Sequence, residues 1–365
     1  MARVFISATQ QNVGKTTTSL GLYALFRSRG LRVGFIKPVG QRVIKRDGTT
    51  ADEDAVLMQH IFQGGMSLAD MSPVTIPRGY TKKYVFNRER DRIFSLIDEA
   101  MEHVDTDADI VIVEGTGHAG VGSVIDASNA DVASHLNAKV LVIGGGGIGK
   151  TVDEICLNKA LFEQAGVPVI GAVVNKIHAD KYDEISAAVR QGLTNKGVDC
   201  LAVMPFKREL TYPTVRQLKR ELGLAVVAGS EYLDHRVRGT IVAAMTPQNT
   251  LGYIRDGTLV ITPGDRVDNI LVSISAHLVG QRKNTGAIAG ILLTGGIEPD
   301  PKIMGLVRDA HVPVLVSDRD TFSAAAAVDR LTVKIGPSDR DKVETAFAMI
   351  ERHLDADALF AALDL

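Results

Sequence analysis

Cysteine, net charge and long apolar runs are all scarce in this sequence. The only cysteines are Cys156 and Cys200, and neither has a neighbour at a spacing typical of metal or redox sites. We therefore expect reduced thiols and a cytoplasmic protein. The formal charge of −2 provides no basic field, which argues against nucleic acid as a partner. No apolar run approaches the ~20 residues of a membrane helix. Residues 1–7 are too short for a signal peptide.

The apolar residues that are present occur in short runs, which alternate with longer helical patterns. A chain of 365 residues with 45% hydrophobic content is long enough for two domains. The patterns predict strands at 3–7, 32–36, 109–113, 139–143 and 168–174, and helices at 15–29, 52–62, 80–103, 151–165 and 180–196. Runs that are apolar at every position suit a parallel sheet buried on both faces. The first half is therefore predicted to be a doubly wound, mostly parallel α/β domain.

A polar connection between Pro205 and Pro213 separates this pattern from a second alternation. Further strands are predicted at 239–244, 258–262, 287–293 and 313–317. Polar and glycine residues follow three of them, and they suit either a ligand crevice or ordinary helix caps and turns. We predict a P-loop domain over residues 1–214, a smaller α/β domain over 215–338, and a helical tail over 339–365.

The segment 5–17 has the composition of a phosphate-binding loop, with a short apolar strand, a polar loop and Gly14-Lys15-Thr16 at the start of a helix. In such loops the backbone N–H groups face phosphate oxygens, the lysine reaches the β- and γ-phosphates, and the threonine hydroxyl ligates Mg²⁺. The string is imperfect, because Thr9 stands where the first glycine belongs. The predicted ATP-binding residues are Asn12, Val13, Gly14, Lys15, Thr16 and Thr17.

A second loop, residues 144–151, satisfies the Gly-x-x-x-x-Gly-Lys-Thr string in full and also precedes a helix. Its four consecutive glycines match almost any glycine rule, however. If the first strand carries the phosphate loop, the acidic residues of a Mg²⁺ site come later in the chain in their usual order. They do not if the loop at 144–151 binds the phosphates. We therefore rank Lys15 ahead of Lys150 as the phosphate-binding lysine.

Charged residues also follow two other strands of the first half. Lys37 ends the strand at 32–36, where it could face a phosphoryl group or an anionic ligand, although such lysines are usually solvated. Glu114 ends an apolar strand, as the carboxylate of a Mg²⁺ site of the Walker B type does. Asp54 lies in the first turn of the following helix, where the helix dipole alone would favour it.

These segments resemble, in order and spacing, dethiobiotin synthetase and the related cobyrinic acid diamide synthetases. The resemblance covers about residues 1–206 and rests on Gly14-Lys15-Thr16, Lys37-Pro38-Val39, Asp54-Ala55, and Val113-Glu114-Gly115-Thr116-Gly117. It implies ATP phosphates at Gly14, Lys15 and Thr16, Mg²⁺ at Thr16, Asp54 and Glu114, Lys37 facing the substrate or phosphoryl group, and Asn175 facing the adenine. Gln10 and Gln11 depart from the synthetase loop, which argues against dethiobiotin synthesis itself.

The second half, from about residue 215 to 335, resembles a DRTGG-type domain through Met245 and the segments 261–266 and 293–296. Together the two halves resemble the N-terminal portion of long bacterial phosphate acetyltransferases. Since only a short helical pattern follows Ile335, we expect no acetyl transfer by this polypeptide alone.

Two functions remain open at this stage. One is a nucleotide-sensing or regulatory module, whose second domain forms a homodimer contact and binds a small anionic effector. The other is an ATP-dependent ligase that activates a carboxylate or carbamate as an acyl phosphate. In the ligase, Lys15 and Lys37 would be catalytic, because they would stabilise charge on the transferring phosphoryl group. A partitioning ATPase is disfavoured, because Gln10 stands where that family carries its signature lysine.

Overall fold

The structure is a computed structural model that describes residues 1–46, 48–63, 65–283 and 287–365. These residues form two compact units. The first combines Met1–Lys207 with Ile335–Leu365, and the second is Arg208–Lys334. The chain leaves the first unit within the polar connection and returns to it for its last helices. The segment expected to be a tail is thus part of the first unit.

Short strands alternate with helices throughout Met1–Lys207. The strands are β1 (Ala2–Ala8), β2 (Val33–Ile36), β3 (Val39–Gly40), β4 (Val43–Arg46), β5 (Thr49–Asp52), β6 (Val74–Thr75), β7 (Ile110–Glu114), β8 (Lys139–Gly144), β9 (Val169–Ile177) and β10 (Cys200–Pro205). The helices are α1 (Lys15–Ser28), α2 (Glu53–Phe62), α3 (Leu68–Met71), α4 (Tyr80–Phe86), α5 (Arg90–Asp105), α6 (Asn129–His135), α7 (Gly149–Gln164) and α8 (Tyr182–Thr194).

The main sheet of the first unit has six strands in the order β10-β9-β8-β1-β7-β2, and every neighbouring pair is parallel. All five residues of β7 are buried, as expected for a strand covered on both faces. From the central β1, the chain winds toward β2 on one side and later toward β10 on the other. The predicted doubly wound α/β class is confirmed. Strand β10 and the small pairs β3-β6 and β4-β5 were not predicted.

The single helix predicted over 80–103 is wrong, because the chain forms two helices, α4 and α5, separated at Asn87. Neither glycine nor proline marks this break in the sequence. The cause is tertiary: Tyr84 and Arg88 both donate to the Asp126 carboxylate, at 2.7–2.9 Å. Arg90 donates to the backbone carbonyl of Asp126 at 3.3 Å. These contacts favour a bend over continued helical hydrogen bonding.

The second unit carries its own five-stranded sheet, in the order β11-β15-β14-β13-β12. Its strands are β11 (Ala225–Ala228), β12 (Gly239–Val242), β13 (Thr258–Pro263), β14 (Gly290–Thr294) and β15 (Val314–Val316). Its helices are α9 (Val215–Leu222), α10 (Pro247–Leu251), α11 (Val267–Lys283), α12 (Pro301–Arg308) and α13 (Thr321–Asp329). Strand β11, which was not predicted, pairs antiparallel with β15, whereas the other pairs are parallel. Apolar clusters cover the sheet.

The last helices, α14 (Arg340–His353) and α15 (Ala356–Leu363), pack in the first unit. Helix α14 lies against α1 at Gly21, where a Cβ would fall 2.2 Å from Ile350 Cγ1 and 2.9 Å from the Ala346 carbonyl oxygen. Phe360 of α15 packs edge-on against Phe26 of α1, with ring centroids 5.6 Å apart. The C-terminal helices therefore cover the helix that begins at Lys15. Across the described parts of the chain, no helix is both long and apolar enough to cross a membrane.

Candidate functional site

The carboxyl ends of three adjacent strands bring the predicted site segments together. Strand β1 lies between β7 and β8, with Ile6 opposite Glu114 and Ala8 opposite Ile143. The loop after β1, the segment after Glu114 and the glycine-rich loop after β8 therefore meet at one edge of the sheet. This edge is the topological switch point, where open α/β sheets bind their ligands.

The loop after β1 turns through the left-handed region twice before α1 begins. Asn12 has φ 61° and Gly14 has φ 114°. Gly14 is needed there, because a Cβ would also fall 2.2 Å from Asn175 Nδ2. Gly14 is the N-cap of α1 and has no side chain with which to cap the first turn. Lys15 and Thr16 are the first two residues of the helix, and Thr17 follows them. The loop and the helix end together have the geometry of an anion site.

Thr16, Asp54 and Glu114 converge beside this helix end. The Thr16 hydroxyl Oγ1 lies 3.1 Å from Asp54 Oδ1 and 3.4 Å from Glu114 Oε1. Both carboxylates are buried, with 2% and 0% of their surface exposed. A hydroxyl and two carboxylates provide the oxygen ligands that Mg²⁺ prefers. The three residues predicted to hold Mg²⁺ thus lie next to one another.

Lys37 lies inside the same cluster and is not solvated. Its ammonium Nζ donates to Asp54 Oδ2 at 2.9 Å, to Glu114 Oε1 at 3.1 Å and to the Gly115 carbonyl at 3.1 Å. Burial alone would lower the pKa of Lys37, but the carboxylates of Asp54, Glu114 and Asp52 outweigh it and raise that pKa above its ordinary value. Lys37 is therefore charged at any physiological pH.

Lys37 contacts both carboxylates of this cluster, at 2.9 Å from Asp54 and 3.1 Å from Glu114. Glu114 Oε2 is buried and accepts no hydrogen bond from the part of the chain that the structure describes. A buried carboxylate oxygen without a partner is costly, and a bound cation is one arrangement that satisfies it. The residues present therefore fit a Mg²⁺ ion. Among the described residues, no group of three His, Cys, Asp or Glu side chains could hold a metal by itself. An ion here would need phosphate oxygens or water to complete its shell.

Asp54 owes its position to Asp52, the N-cap of α2. One Asp52 oxygen, Oδ1, accepts the backbone N–H of Asp54 at 3.0 Å. The other, Oδ2, accepts the N–H groups of Gln41 and Arg42 at 3.0 and 3.1 Å. The cap therefore fixes both the start of the helix and the direction in which Asp54 enters the site.

Asn129, the first residue of α6, and Lys176 of β9 hold the loops of the site and were given no such role by sequence reasoning. The Asn129 side chain accepts the Thr116 N–H and donates to the carbonyls of Thr116 and His118, so it fixes the segment after Glu114. Lys176 donates its ammonium to the Asn12 carbonyl. Its neighbour Asn175 is buried, and its Nδ2 donates to the Val13 carbonyl at 2.9 Å. The sequence signal for Asn175 and Lys176 was their place directly after the apolar strand predicted at 168–174.

The glycine-rich loop after β8 is built differently. The Thr151 hydroxyl donates to the Gly145 carbonyl at 2.8 Å, and Lys150 lies 3.6 Å from Glu154 with 72% of its side chain exposed. Gly146 allows close passage, since a Cβ would fall 2.5 Å from the Lys176 carbonyl oxygen. The structure thus gives Gly146 a packing role and directs the Thr151 hydroxyl to the loop itself.

A cavity of about 250 Å³ lies between the two loops, lined by residues that include Gln11, Asn12, Gly146 and Lys150. Thr16, Asp54 and Glu114 do not line it. Its volume is also below the ~300–1,000 Å³ of typical ligand pockets. The cavity is therefore distinct from the cluster at Thr16.

In the second unit, Arg266 is engaged in an ion pair at the carboxyl end of β13. Arg266 contacts both carboxylate oxygens of Asp268 at 2.9 Å and donates to the carbonyl of Met245 at 3.0 Å. The hydrogen bond from Arg266 lowers the pKa of Asp268 below its ordinary value. The Thr294 hydroxyl lies 2.7 Å from the hydroxyl of Thr321. Arg266 thus serves as a structural ion-pair partner of Asp268.

Comparison with protein families agrees with this geometry. The model of an AAA domain matches residues 2–214, which is more than half of the chain. The chain belongs to this AAA domain family. A DRTGG domain model matches residues 217–331, so the AAA domain, a P-loop domain, is followed by a DRTGG domain as predicted.

Curated relatives that match both domains are phosphate acetyltransferases. The protein of Nitratidesulfovibrio vulgaris is 28% identical over 369 residues, and that of Pseudomonas putida is 28% identical over 370. The alignments cover 99% and 98% of this chain but 51% of each relative. The chain therefore spans about half the length of the curated relatives it matches.

The likenesses to two solved structures are weak. The cell division ATPase MinD of Pyrococcus furiosus matches with a TM-score of 0.38 and 13% identity. The match covers 57% of this chain and 86% of the MinD chain. A second match is the CBS and DRTGG regulatory region of Clostridium perfringens pyrophosphatase, in complex with its activator diadenosine tetraphosphate. Its TM-score is 0.26 at 16% identity, and the match covers 40% of this chain and 62% of the pyrophosphatase chain. At these scores neither structure supports a functional argument.

Proposed function

We propose that this chain binds ATP together with Mg²⁺ and acts as a nucleotide-sensing regulatory module related to the N-terminal part of phosphate acetyltransferases. The observation that carries the proposal is the convergence of Thr16, Asp54 and Glu114 at the N-terminus of α1. The near-complete alignment of the chain with half of each phosphate acetyltransferase supports the regulatory part. Lys15 would contact the β- and γ-phosphates.

Thr16, Asp54 and Glu114 would hold the metal ion. When bound, Mg²⁺ neutralises charge on the phosphate oxygens. The backbone N–H groups at the start of α1 would donate hydrogen bonds to the phosphate oxygens from the other side. Lys37 would keep the two buried carboxylates compensated.

An ATP-dependent ligase is the second candidate, and one observation favours it. Lys37 is a buried cation at the carboxyl edge of the sheet, in contact with both predicted Mg²⁺ carboxylates. A cation placed there would stabilise charge on a transferring phosphoryl group, as acyl phosphate formation requires. A purely regulatory nucleotide site does not need such a lysine.

Calorimetric titration with ATP, with and without Mg²⁺, tests nucleotide binding. The informative variant is Glu114→Gln, which keeps the side-chain shape and removes the charge. Glu154→Gln is the matched control beside the second loop. We expect Mg²⁺-dependent binding by the wild type and the control, and at least tenfold weaker binding by Glu114→Gln, because charge-assisted contacts contribute about 1.5–3 kcal/mol each. Equal affinity in all three proteins would contradict the assignment.

Turnover separates the two candidate functions. The full chain is incubated with ATP, Mg²⁺ and a panel of carboxylic acids, diamines and glutamine, and ADP release is measured. Nucleotide binding without substrate-dependent ADP supports the regulatory module. ADP release that one substrate stimulates supports the ligase and contradicts a purely regulatory role.

A further inference from the structure

Two consecutive residues of β9 hold two consecutive carbonyl groups of the loop after β1. Asn175 Nδ2 donates to the Val13 carbonyl at 2.9 Å, and the Lys176 ammonium donates to the Asn12 carbonyl. The Asn175 side chain is 3% exposed. Its Oδ1 accepts the backbone N–H of Lys176 at 2.8 Å. The amide is therefore fixed at both its nitrogen and its oxygen.

The backbone at this point is irregular in a way that explains how both side chains reach the loop. Successive side chains of a regular strand point to opposite faces. Lys176, however, has φ 69°, which is uncommon for a residue other than glycine or asparagine. The register between β9 and β10 also shifts there, from Val174 opposite Val203 to Ile177 opposite Pro205. Such bulges redirect side chains, and they are frequent beside functional sites.

Holding these carbonyls fixes the direction of the N–H groups that share their peptide bonds. In a planar trans peptide, the C=O and N–H point in opposite directions. The Asn12 carbonyl shares its peptide with the Val13 N–H, and the Val13 carbonyl shares its peptide with the Gly14 N–H. Because β9 holds both carbonyls, both N–H groups face away from β9. With left-handed Asn12 and Gly14, this arrangement forms a concave, anion-binding nest.

We propose that Asn175 and Lys176 are positioning residues that preorganise the loop for a polyphosphate ligand, and that Asn175 does not read the nucleotide base. This inference rests on the proposed nucleotide function. It differs from the resemblance-based expectation that Asn175 faces the adenine. A base-reading residue affects one nucleotide selectively. A loop-positioning residue affects every ligand that carries the same phosphates.

The test compares Asn175→Ala and Lys176→Met with the wild type in titrations with ATP, GTP and inorganic tripolyphosphate. Lys176→Arg, which keeps a donor, serves as the conservative variant, and the exposed Lys181→Met is the control. Hydrogen exchange of the ligand-free proteins, measured on peptides covering residues 9–17, reports the loop directly. Exchange in all other peptides shows whether each variant is folded.

We expect Asn175→Ala and Lys176→Met to weaken binding of each ligand that the wild type binds by a similar factor, five- to tenfold or more. Exchange in residues 9–17 should be faster in both, whereas Lys176→Arg and Lys181→Met should stay within threefold of the wild type. Selective loss of ATP in Asn175→Ala would overturn the inference, and so would unchanged exchange in the loop. If the wild type binds none of the three ligands, the proposed function fails, while the exchange measurement still decides the positioning role.

Discussion

Replacing Lys37 by methionine should destabilise the first unit by about 3–5 kcal/mol, the usual cost of removing one partner from a buried ion pair. The side chains of Lys37, Asp54 and Glu114 are only 4%, 3% and 0% exposed. Water therefore cannot replace the lost ammonium. Methionine preserves most of the volume, so the effect reports charge compensation and not a cavity. For a unit of this size, the loss corresponds to a fall in melting temperature of roughly 6–20 °C.

The assay is peptide-resolved hydrogen exchange in increasing urea, because it reports the first unit separately from Arg208–Lys334. Lys150→Met is the matched control. Lys150 is 72% exposed and pairs with its helical neighbour Glu154, so its loss should change stability by less than about 0.5 kcal/mol. If Lys37→Met is as stable as Lys150→Met, the reasoning about the buried cluster is refuted.

The pH dependence has a definite sign. The carboxylates of Asp54, Glu114 and Asp52 raise the pKa of Lys37 despite the opposing effect of burial. A lysine whose pKa is raised on folding contributes its full stabilisation below its unfolded value of about 10.4, and loses it only as the pH rises through the folded value. The difference between wild type and Lys37→Met should therefore be constant from pH 7 to 9. A difference that fades within that range would mean that Lys37 is not charged in the folded protein.

Three further predictions concern the loops and the C-terminal helices. Lys15→Ala should weaken ATP binding tenfold or more in calorimetric titration, whereas Lys150→Ala should leave it largely intact. The reverse result would mean that residues 144–151, and not the loop after β1, bind the phosphates. Gly21→Ala should lower the stability of the first unit by about 1–3 kcal/mol in the same exchange assay, because the added methyl would lie 2.2 Å from Ile350 of α14. An unchanged stability would show that α14 can move away. Deletion of residues 335–365 should expose apolar surface of α1 and weaken nucleotide binding. The exposed surface would be seen as increased binding of a hydrophobic dye. A folded variant that binds no more dye than the wild type would show that these helices are dispensable.

The sequence predicted those features that depend on local pattern. Residues 4–6, 110–113 and 140–143, in β1, β7 and β8, are all apolar, so the burial of these strands in a parallel sheet followed from the sequence pattern. Since the carboxyl ends of parallel strands share one edge, the meeting of Thr16 with Glu114 followed as well. The prediction of a P-loop domain followed by a DRTGG domain was also confirmed, because each of its motifs is a short segment that can be read directly from the sequence.

Features that depend on tertiary contacts were missed. The break between α4 and α5 comes from hydrogen bonds to Asp126, which lies 36 or more residues further along the chain. The contact of Lys176 with the loop after β1 depends on a bulge and on a left-handed backbone conformation, and neither can be predicted from the residue types there. The packing of α14 against α1 likewise depends on which apolar surface the rest of the first unit leaves uncovered. None of these can be read from periodicity.

A crystal structure of the full chain with Mg²⁺ and a non-hydrolysable ATP analogue tests the central claim most directly. We predict that the β- and γ-phosphates lie against the backbone N–H groups of Gly14, Lys15 and Thr16. The metal should lie among the Thr16 hydroxyl, Asp54 and Glu114. A nucleotide held instead by residues 144–151, with Lys150 on its phosphates, would contradict the account.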